Sequence, residues 1–394
     1  FWFRSCRANP RRRYWKKFPN FDFAKSSMRF LMLNWRDPRN PISGGAERVS
    51  LAYLKELARR GHEVFWFAND FPGATREEMF EGIQIVRGGG KGTSVLAARK
   101  WHRAQKKFDL VIDQHHGIPW YAPWWSGTNC VAYIHEVLGP IWDSFYSPPL
   151  SNVGKFQERW THWFYRRTPF WTPSESTKKT LQSHGVKDIR VFPNGTDASP
   201  LAELEPKPIG SPLRLITVSR LAPNKRVAHA VQAVNLLRQR GLAAQLTIVG
   251  SGEEEKSLRQ LVQNFSLEKH VEFTGLLAER EKDDRLRRAH FLIHTSVREG
   301  WGLNVIEANA MGTPAIVYPV GGLVDSTLHD ETGLLTRAET PAAAAETIWE
   351  IAKSPEKYAR LRINAWNRAK KLQWNEVLRP ACDWLESLAA KKSK

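Results

Sequence analysis

Cysteine is nearly missing from this chain of 394 residues: Cys6, Cys130 and Cys382 are odd in number and far apart. Neither a disulfide framework nor a zinc site is indicated, and a reducing cytosol fits. Long apolar runs are missing too. No stretch of the chain approaches the roughly 18 consecutive apolar residues of a spanning helix, so it reads as soluble or peripheral and not integral. There is no Asp-x-Asp pair, the usual means of bridging a divalent ion to a diphosphate. A G-x-x-x-x-G-K-[ST] phosphate loop and a G-x-S-x-G nucleophile elbow are also lacking, so neither of those chemistries is signalled. Acidic residues are outnumbered: 59 Lys and Arg against 40 Asp and Glu leave a net charge of +19, and 17 tryptophans accompany it. That balance points to anionic partners, whether nucleic acid, an anionic membrane surface or phosphorylated substrates. Solubility charge with core aromatics is the plain alternative, and composition alone does not reject it.

Residues 1–27 carry eight basic side chains against the single acid Asp22 and have no apolar h-region, so they do not form a secretory signal. They read as a disordered basic extension, either upstream of a start at Met28 or a basic-aromatic tail for a membrane or nucleic acid. From Arg29 onward the pattern alternates. Strands are predicted at 29–35, 63–68, 83–86, 109–113, 130–134, 170–172 and 189–192, with helices at 46–60, 94–107, 155–167 and 174–184. Pro200, Pro206, Pro208, Gly210 and Pro212 then interrupt the chain and mark a domain boundary. A second alternating set follows: strands at 213–218, 245–249, 271–273, 291–294 and 315–318, and helices at 227–240, 253–264, 279–289 and between 302 and 312. The tail from Pro341 is helical, with interruptions expected near Pro355 and Pro380. Strands alternating with helices imply parallel β-α-β units, and two such sets in series give an α/β fold of two doubly wound Rossmann-like domains facing across a cleft.

The most informative stretch runs from Ser296 to Gly312. Gly300 and Gly302 permit a tight turn, and Gly312 suits the left-handed position after a helix. The helix between is apolar almost all round, which says it is buried, yet Glu307 lies inside it and Glu299 just before its N-terminus. A buried carboxylate is costly without hydrogen-bond partners, and free N–H groups at a helix start favour anions. The pair therefore suggests a site for a polyhydroxylated, phosphate-bearing ligand.

Other constellations would complete it. Gly44-Gly45, after a strand and before a helix, is a ready anion site. Arg220 and Lys225, five apart in a strand-to-helix loop, can grip two phosphate groups, one by a fork and one as a point charge. His135 and Glu136 end a strand at the edge facing the cleft, where a histidine could bond a substrate hydroxyl. Asp113-Gln114-His115-His116 is polar enough to raise a metal, but adjacent histidines without a further ligand at helical spacing make a poor set. No metal site is expected.

An E-x7-E spacing alone carries little weight; its context is more specific. Glu299-Gly300-Trp301-Gly302-Leu303 through Glu307, then Gly312-Thr313-Pro314, Gly321-Gly322 and Thr332-Gly333-Leu334-Leu335, resembles the donor-site signature of the family 4 retaining glycosyltransferases with the GT-B fold. Ser219-Arg220 to Lys225, Pro193-Asn194-Gly195-Thr196-Asp197, His135 and Gly44-Gly45-Ala46-Glu47-Arg48 follow the same pattern in the same order. The resemblance implies that Glu299 bonds hydroxyls of the donor sugar, Glu307 the ribose, and Arg220 and Lys225 the diphosphate. Gly44, Gly45, Gly300, Trp301, Gly302, Leu303 and Asn304 would complete the donor site, and His135 would lie near the donor sugar across the cleft. Glu136, Thr196 and Asp325 are mild departures, where the family more often has Asp, Val or Ile, and Glu.

The resulting expectation is a metal-independent retaining glycosyltransferase moving a sugar from a nucleotide diphosphate sugar, uridine-linked before guanosine-linked, with no further cofactor. In that reading 28–198 is the acceptor-side domain, 199–212 a linker, 213–372 the donor domain, and 373–394 a helix packing back on the first domain. Trp101, Trp120, Trp124, Trp125, Trp160, Trp163 and Tyr165, interleaved with Arg and Lys, suit an anionic membrane interface. This suggests a cytoplasmic, peripheral enzyme with a lipid-linked or membrane-presented acceptor, or a cell-surface glycan precursor; a soluble sugar is the rival. A GT-B-fold epimerase or hydrolase is the second class, and a nucleic-acid-binding protein, supported by charge alone, the third. No specific nucleic acid is expected.

Overall fold

The computed structural model describes residues 27–90 and 92–391. Apart from Ser27, the basic extension lies outside the described residues. The first half runs β1 (Arg29–Leu33), α1 (Gly45–Arg59), β2 (Glu63–Ala68), β3 (Glu77–Phe80), β4 (Ile83–Arg87), α2 (Ser94–Arg103), β5 (Leu110–His115), β6 (Asn129–Ile134), α3 (Ile141–Phe145), α4 (Leu150–Phe164), β7 (Phe170–Thr172), α5 (Glu175–Ser183) and β8 (Ile189–Val191). Among the described residues these strands form one sheet in the order β3-β4-β2-β1-β5-β6-β7-β8. Every pairing is parallel except β3 with β4. Parallel strands covered on both faces read as continuous apolar runs, which is why β1, β2 and β5 were visible. The edge strand β3, with sequence EEMF and an exposed Met79, has no apolar face to betray it.

The second half runs β9 (Leu213–Val218), α6 (Val227–Gln239), β10 (Ala244–Val249), α7 (Glu255–Asn264), β11 (Val271–Gly275), α8 (Glu279–Arg288), β12 (Phe291–His294), α9 (Leu303–Ala310), β13 (Ala315–Val317), α10 (Leu323–Ser326), β14 (Gly333–Leu335), α11 (Pro341–Ala352), α12 (Pro355–Lys371) and α13 (Trp374–Ala389). Its sheet is wholly parallel, β11-β10-β9-β12-β13-β14. Two doubly wound α/β domains therefore face one another, and α13 leaves the second to pack on α1 of the first. There it buries Ala381, Cys382 and Leu385 in the first domain's core. The crossing is fixed by Thr196 N–H on the Leu372 carbonyl (3.1 Å) and Trp374 Nε1 on Asp197 Oδ1 (2.8 Å).

One expectation about the tail is corrected. The helices break before Pro355 as expected, but the second interruption lies at Leu372–Gln373, and Pro380 sits inside α13. Pro380 is exposed, and so is Glu376, whose carbonyl loses its helical donor there. Val377, Ala381, Cys382 and Leu385 hold the opposite face in place. Among the described residues no helix is long and apolar enough to cross a membrane.

Candidate active site

Three loops of the second domain are knitted together. After β9 the chain makes a short turn, Pro223–Lys225, and Arg226 takes a left-handed φ of 48°. Arg226 donates to the carbonyls of Thr295 (2.9 Å) and Ser296 (2.7 Å), and Val297 N–H donates to the Asn224 carbonyl (2.9 Å). Glu299 N–H reaches the Gly321 carbonyl (3.1 Å). This places the Lys225 ammonium in direct contact with Glu299 Oε1, which also accepts from Ser296 Oγ (2.6 Å) and lies 3.3 Å from His294 Nε2. Burial raises the Glu299 carboxyl, but Lys225 above all brings it below the usual carboxylate range. His294 is pushed down to about 4 by burial and is neutral.

Glu307, in the second turn of α9, is also buried and paired. Its Oε1 accepts from Arg48 Nη2 (2.5 Å) and its Oε2 from Lys282 Nζ (3.0 Å). Burial pushes its carboxyl up, and Arg48 and Lys282 bring it net below its ordinary value. Arg48 belongs to α1, so this pair joins the two domains; the same guanidinium lies 3.4 Å from Asp197 and 3.7 Å from Glu279. Arg48 stands in the Gly44–Arg48 motif with no role that the motif assigns, and Lys282 lies outside every motif. Lys282 left one signal: α8 reads EREKDDRLRR and buries only Lys282 and Leu286, four residues apart, so its inward stripe contains a lysine.

The first domain closes the cleft over this ledge. A Cβ on Gly300 would stand 2.8 Å from the His135 carbonyl oxygen, and one on Gly45 would stand 3.3 Å from Leu303 Cδ1. The starts of α1 and α9 thus approach each other, a convergence of two N-termini that favours anions, although Glu47 Oε2 already accepts the Gly44 N–H (2.7 Å) at the start of α1. Gly302 caps α9 with φ 95°, and Gly312 follows it with φ 65°. His135 is pushed down to about 3 by burial, and its Nε2 has no protein partner among the described residues. The neighbouring Glu136 carboxyl is pushed up to about 7, by burial first and then by Glu299, and its Oε2 is likewise unpartnered. Arg220 is exposed, with no ion pair among the described residues; its charge acts on His116 of the first domain.

Some candidates land elsewhere. The Trp301 ring is buried in the second domain's core, so only its backbone faces the site. Asn304 Nδ2 donates to the Val218 carbonyl (2.7 Å), tying α9 to β9. Asp113 is fully used inside the first domain, accepting from Trp120 N–H, Ala122 N–H and Tyr165 Oη. Among the described residues no group of three His, Cys, Asp or Glu is placed to hold a metal ion. The aromatic set splits: Trp120 and Tyr165 are core residues, and Trp101 and Trp125 pack against a core cluster. Trp124, Trp160 and Trp163 face solvent, each about half exposed.

Two facing doubly wound domains with a cationic, carboxylate-bearing cleft define a GT-B architecture. The model for "Glycosyltransferase Family 4" matches residues 43–199, and that for "Glycosyl transferases group 1" matches 203–368. The chain belongs to the family 4 glycosyltransferases of GT-B fold. It resembles the glycogen synthase of Mycobacterium tuberculosis at 29% identity over 171 residues, 43% of this chain and 41% of the relative. The chain spans about half the length of the curated relatives it matches. In fold it is similar to the sucrose-phosphate synthase of Thermosynechococcus elongatus, with a TM-score of 0.74 and 20% identity over 92% of this chain and 99% of that one. It is also similar to Anabaena HepE, solved with UDP and glucose, with a TM-score of 0.68 and 18% identity over 91% and 100%.

Proposed function

We propose that the chain is a retaining, metal-independent glycosyltransferase that moves a sugar from a nucleotide diphosphate sugar to an acceptor hydroxyl. The observation that carries this is the Lys225–Glu299 pair at the closed edge of the cleft, with the unpaired Arg220 on the same loop. The bond that breaks joins the sugar's anomeric carbon to the β-phosphate, and the new bond joins that carbon to the acceptor oxygen. The leaving diphosphate gathers negative charge, and Arg220, Lys225 and the converging starts of α1 and α9 supply the positive field that stabilises it. The acceptor proton passes to a donor phosphate oxygen on the same face of the sugar, so no protein nucleophile is needed. Glu299 holds sugar hydroxyls, Glu307 the ribose, and His135, a neutral imidazole, a further hydroxyl. A uridine donor is favoured, and HepE's complex with UDP supports that choice.

The acceptor is presented at the cytoplasmic face of a membrane. On α4, Leu150, Val153, Phe156, Trp160 and Trp163 recur every three or four residues and point outward, Phe156 72% exposed. Trp124 extends the patch by stacking on Phe164 (4.1 Å). Lys155, Arg159, Arg166 and Arg167 border it, which suits an anionic lipid surface. Thermal-shift screening with nucleotide diphosphates and their sugars tests the donor half, since a bound donor raises the stability of the folded state. Donor consumption indifferent to any acceptor would favour a hydrolase or epimerase instead. Co-sedimentation with vesicles tests the membrane half; no binding to anionic vesicles at low salt would contradict it.

A further inference from the structure

Beside the donor ledge, on the first domain's side, lies a second concavity of about 330 Å3 between α3, α4, α5 and Arg298. Its charges are unevenly committed. Asp143 is held by Lys155 Nζ (2.6 and 2.7 Å), and the buried Glu158 accepts the N–H groups of Leu138 (2.6 Å) and Gly139 (2.9 Å). Two guanidinium groups are left over. Arg159 is exposed, and among the described residues it forms no ion pair. Arg298 gives one Nη2 to Thr180 Oγ1 (3.2 Å), while its buried Nε has no partner. Both act on one ring: after burial, Arg159 and Arg298 are the causes that push His184 below its usual value. The charged form of the ring is therefore disfavoured by both.

A buried N–H without a partner, as at Arg298 Nε, is costly, and with the solvated Arg159 lining the same cavity the two guanidinium groups fit an anion that each can meet with a fork of parallel N–H donors. Position adds to this. The charges of Arg298 and Glu299 both act on the Glu136 carboxyl, so the cavity lies next to the carboxylate assigned to the donor sugar. Arg159 lies on α4, at the border of the outward apolar stripe. We infer that this cavity binds a phosphate group carried by the acceptor, gripped between Arg159 and Arg298, which sets the acceptor hydroxyl against the donor sugar. The inference rests on the cleft being a glycosyl-transfer site, and it specifies the acceptor as a phosphorylated molecule.

The test is a titration of inorganic phosphate into the full chain at low salt with UDP saturating, so that the donor pocket is filled, read by calorimetry. Wild type binds phosphate; Arg159→Ala binds it about tenfold more weakly, Arg159→Ala with Arg298→Ala not measurably, and Arg220→Ala like wild type. Arg159 is exposed, so its single variant keeps the test valid should the double variant fold poorly. Phosphate binding unchanged in Arg159→Ala, or no phosphate binding by wild type, overturns the inference. Failure of UDP itself to bind counts against the cleft reading alone, because the comparison of wild type with Arg159→Ala can be run without it. Lysophosphatidic acid against glycerol 3-phosphate separates the sources. Tighter binding of the acylated phosphate, lost in Phe156→Ser with Trp160→Ser, supports a lipid acceptor, and equal binding supports a soluble phosphorylated one.

Discussion

The donor ledge and the outer side of α4 hold their costly groups in opposite ways. On the ledge the two buried carboxylates of the second domain have counter-charges: Glu299 with Lys225, Glu307 with Arg48 and Lys282. On α4 and its neighbours, aromatic rings lie open to solvent, and among the described residues Arg159 and Arg298 form no direct ion pair, although the charge of Arg298 acts on Glu136 and Glu158. A satisfied set of buried charges is fixed before a ligand arrives, which suits stabilising a transition state. An unsatisfied, apolar-fringed surface gains most from binding something else.

The largest test of this contrast is Glu299→Gln, which removes the charge that Lys225 faces while keeping its shape. Turnover, read as nucleotide diphosphate release, should fall about 100-fold or more, with nucleotide binding nearly unchanged; wild-type turnover would dissolve the ledge's special status. Next is Glu307→Ala, which leaves the buried Lys282 with the exposed Glu279 as its counter-charge. Urea unfolding should show a loss of about 3 kcal/mol, largely recovered by adding Lys282→Met. If Glu307→Ala is neutral, the ledge is not the preorganised half.

Acid sharpens the same point. His135 and His294 have folded values near 3 and 4, below the unfolded value of about 6.5. The unfolded chain therefore takes up protons that the folded chain refuses. Their contribution to stability is intact above that value and is lost as pH falls through 6.5 toward 4, by at most about 1.4 kcal/mol per unit for each histidine. Melting temperature against pH should show the slope, and His294→Asn should flatten it. On the α4 side, Phe156→Ser with Trp160→Ser should abolish vesicle binding while stability moves by about 0.5 kcal/mol or less. A large destabilisation would mean that these rings hold the fold together.

Much of the ledge was legible because it is local. Glu299, Gly300, Gly302 and Glu307 lie within nine residues, and strand, turn and buried helix are each encoded in the run itself. What stayed hidden needed tertiary contact. Arg48 and Glu307 stand 259 positions apart, and nothing in either segment names the other. The aromatic set misled for a related reason: Trp120 and Tyr165 carry the same composition signal as Trp160 and Trp163, and only packing decides which face a core. Helix α4 begins at Leu150, earlier than the 155 that the pattern predicts, because Leu150 and Val153 look outward and leave no core-facing apolar stripe at its start.

The most direct measurement of the central claim is calorimetric titration of UDP into wild type and Arg220→Ala. Arg220 is exposed, so the variant should fold normally. UDP should bind wild type saturably and Arg220→Ala about tenfold more weakly. Binding of equal strength in both, or no nucleotide diphosphate bound by wild type, would contradict it.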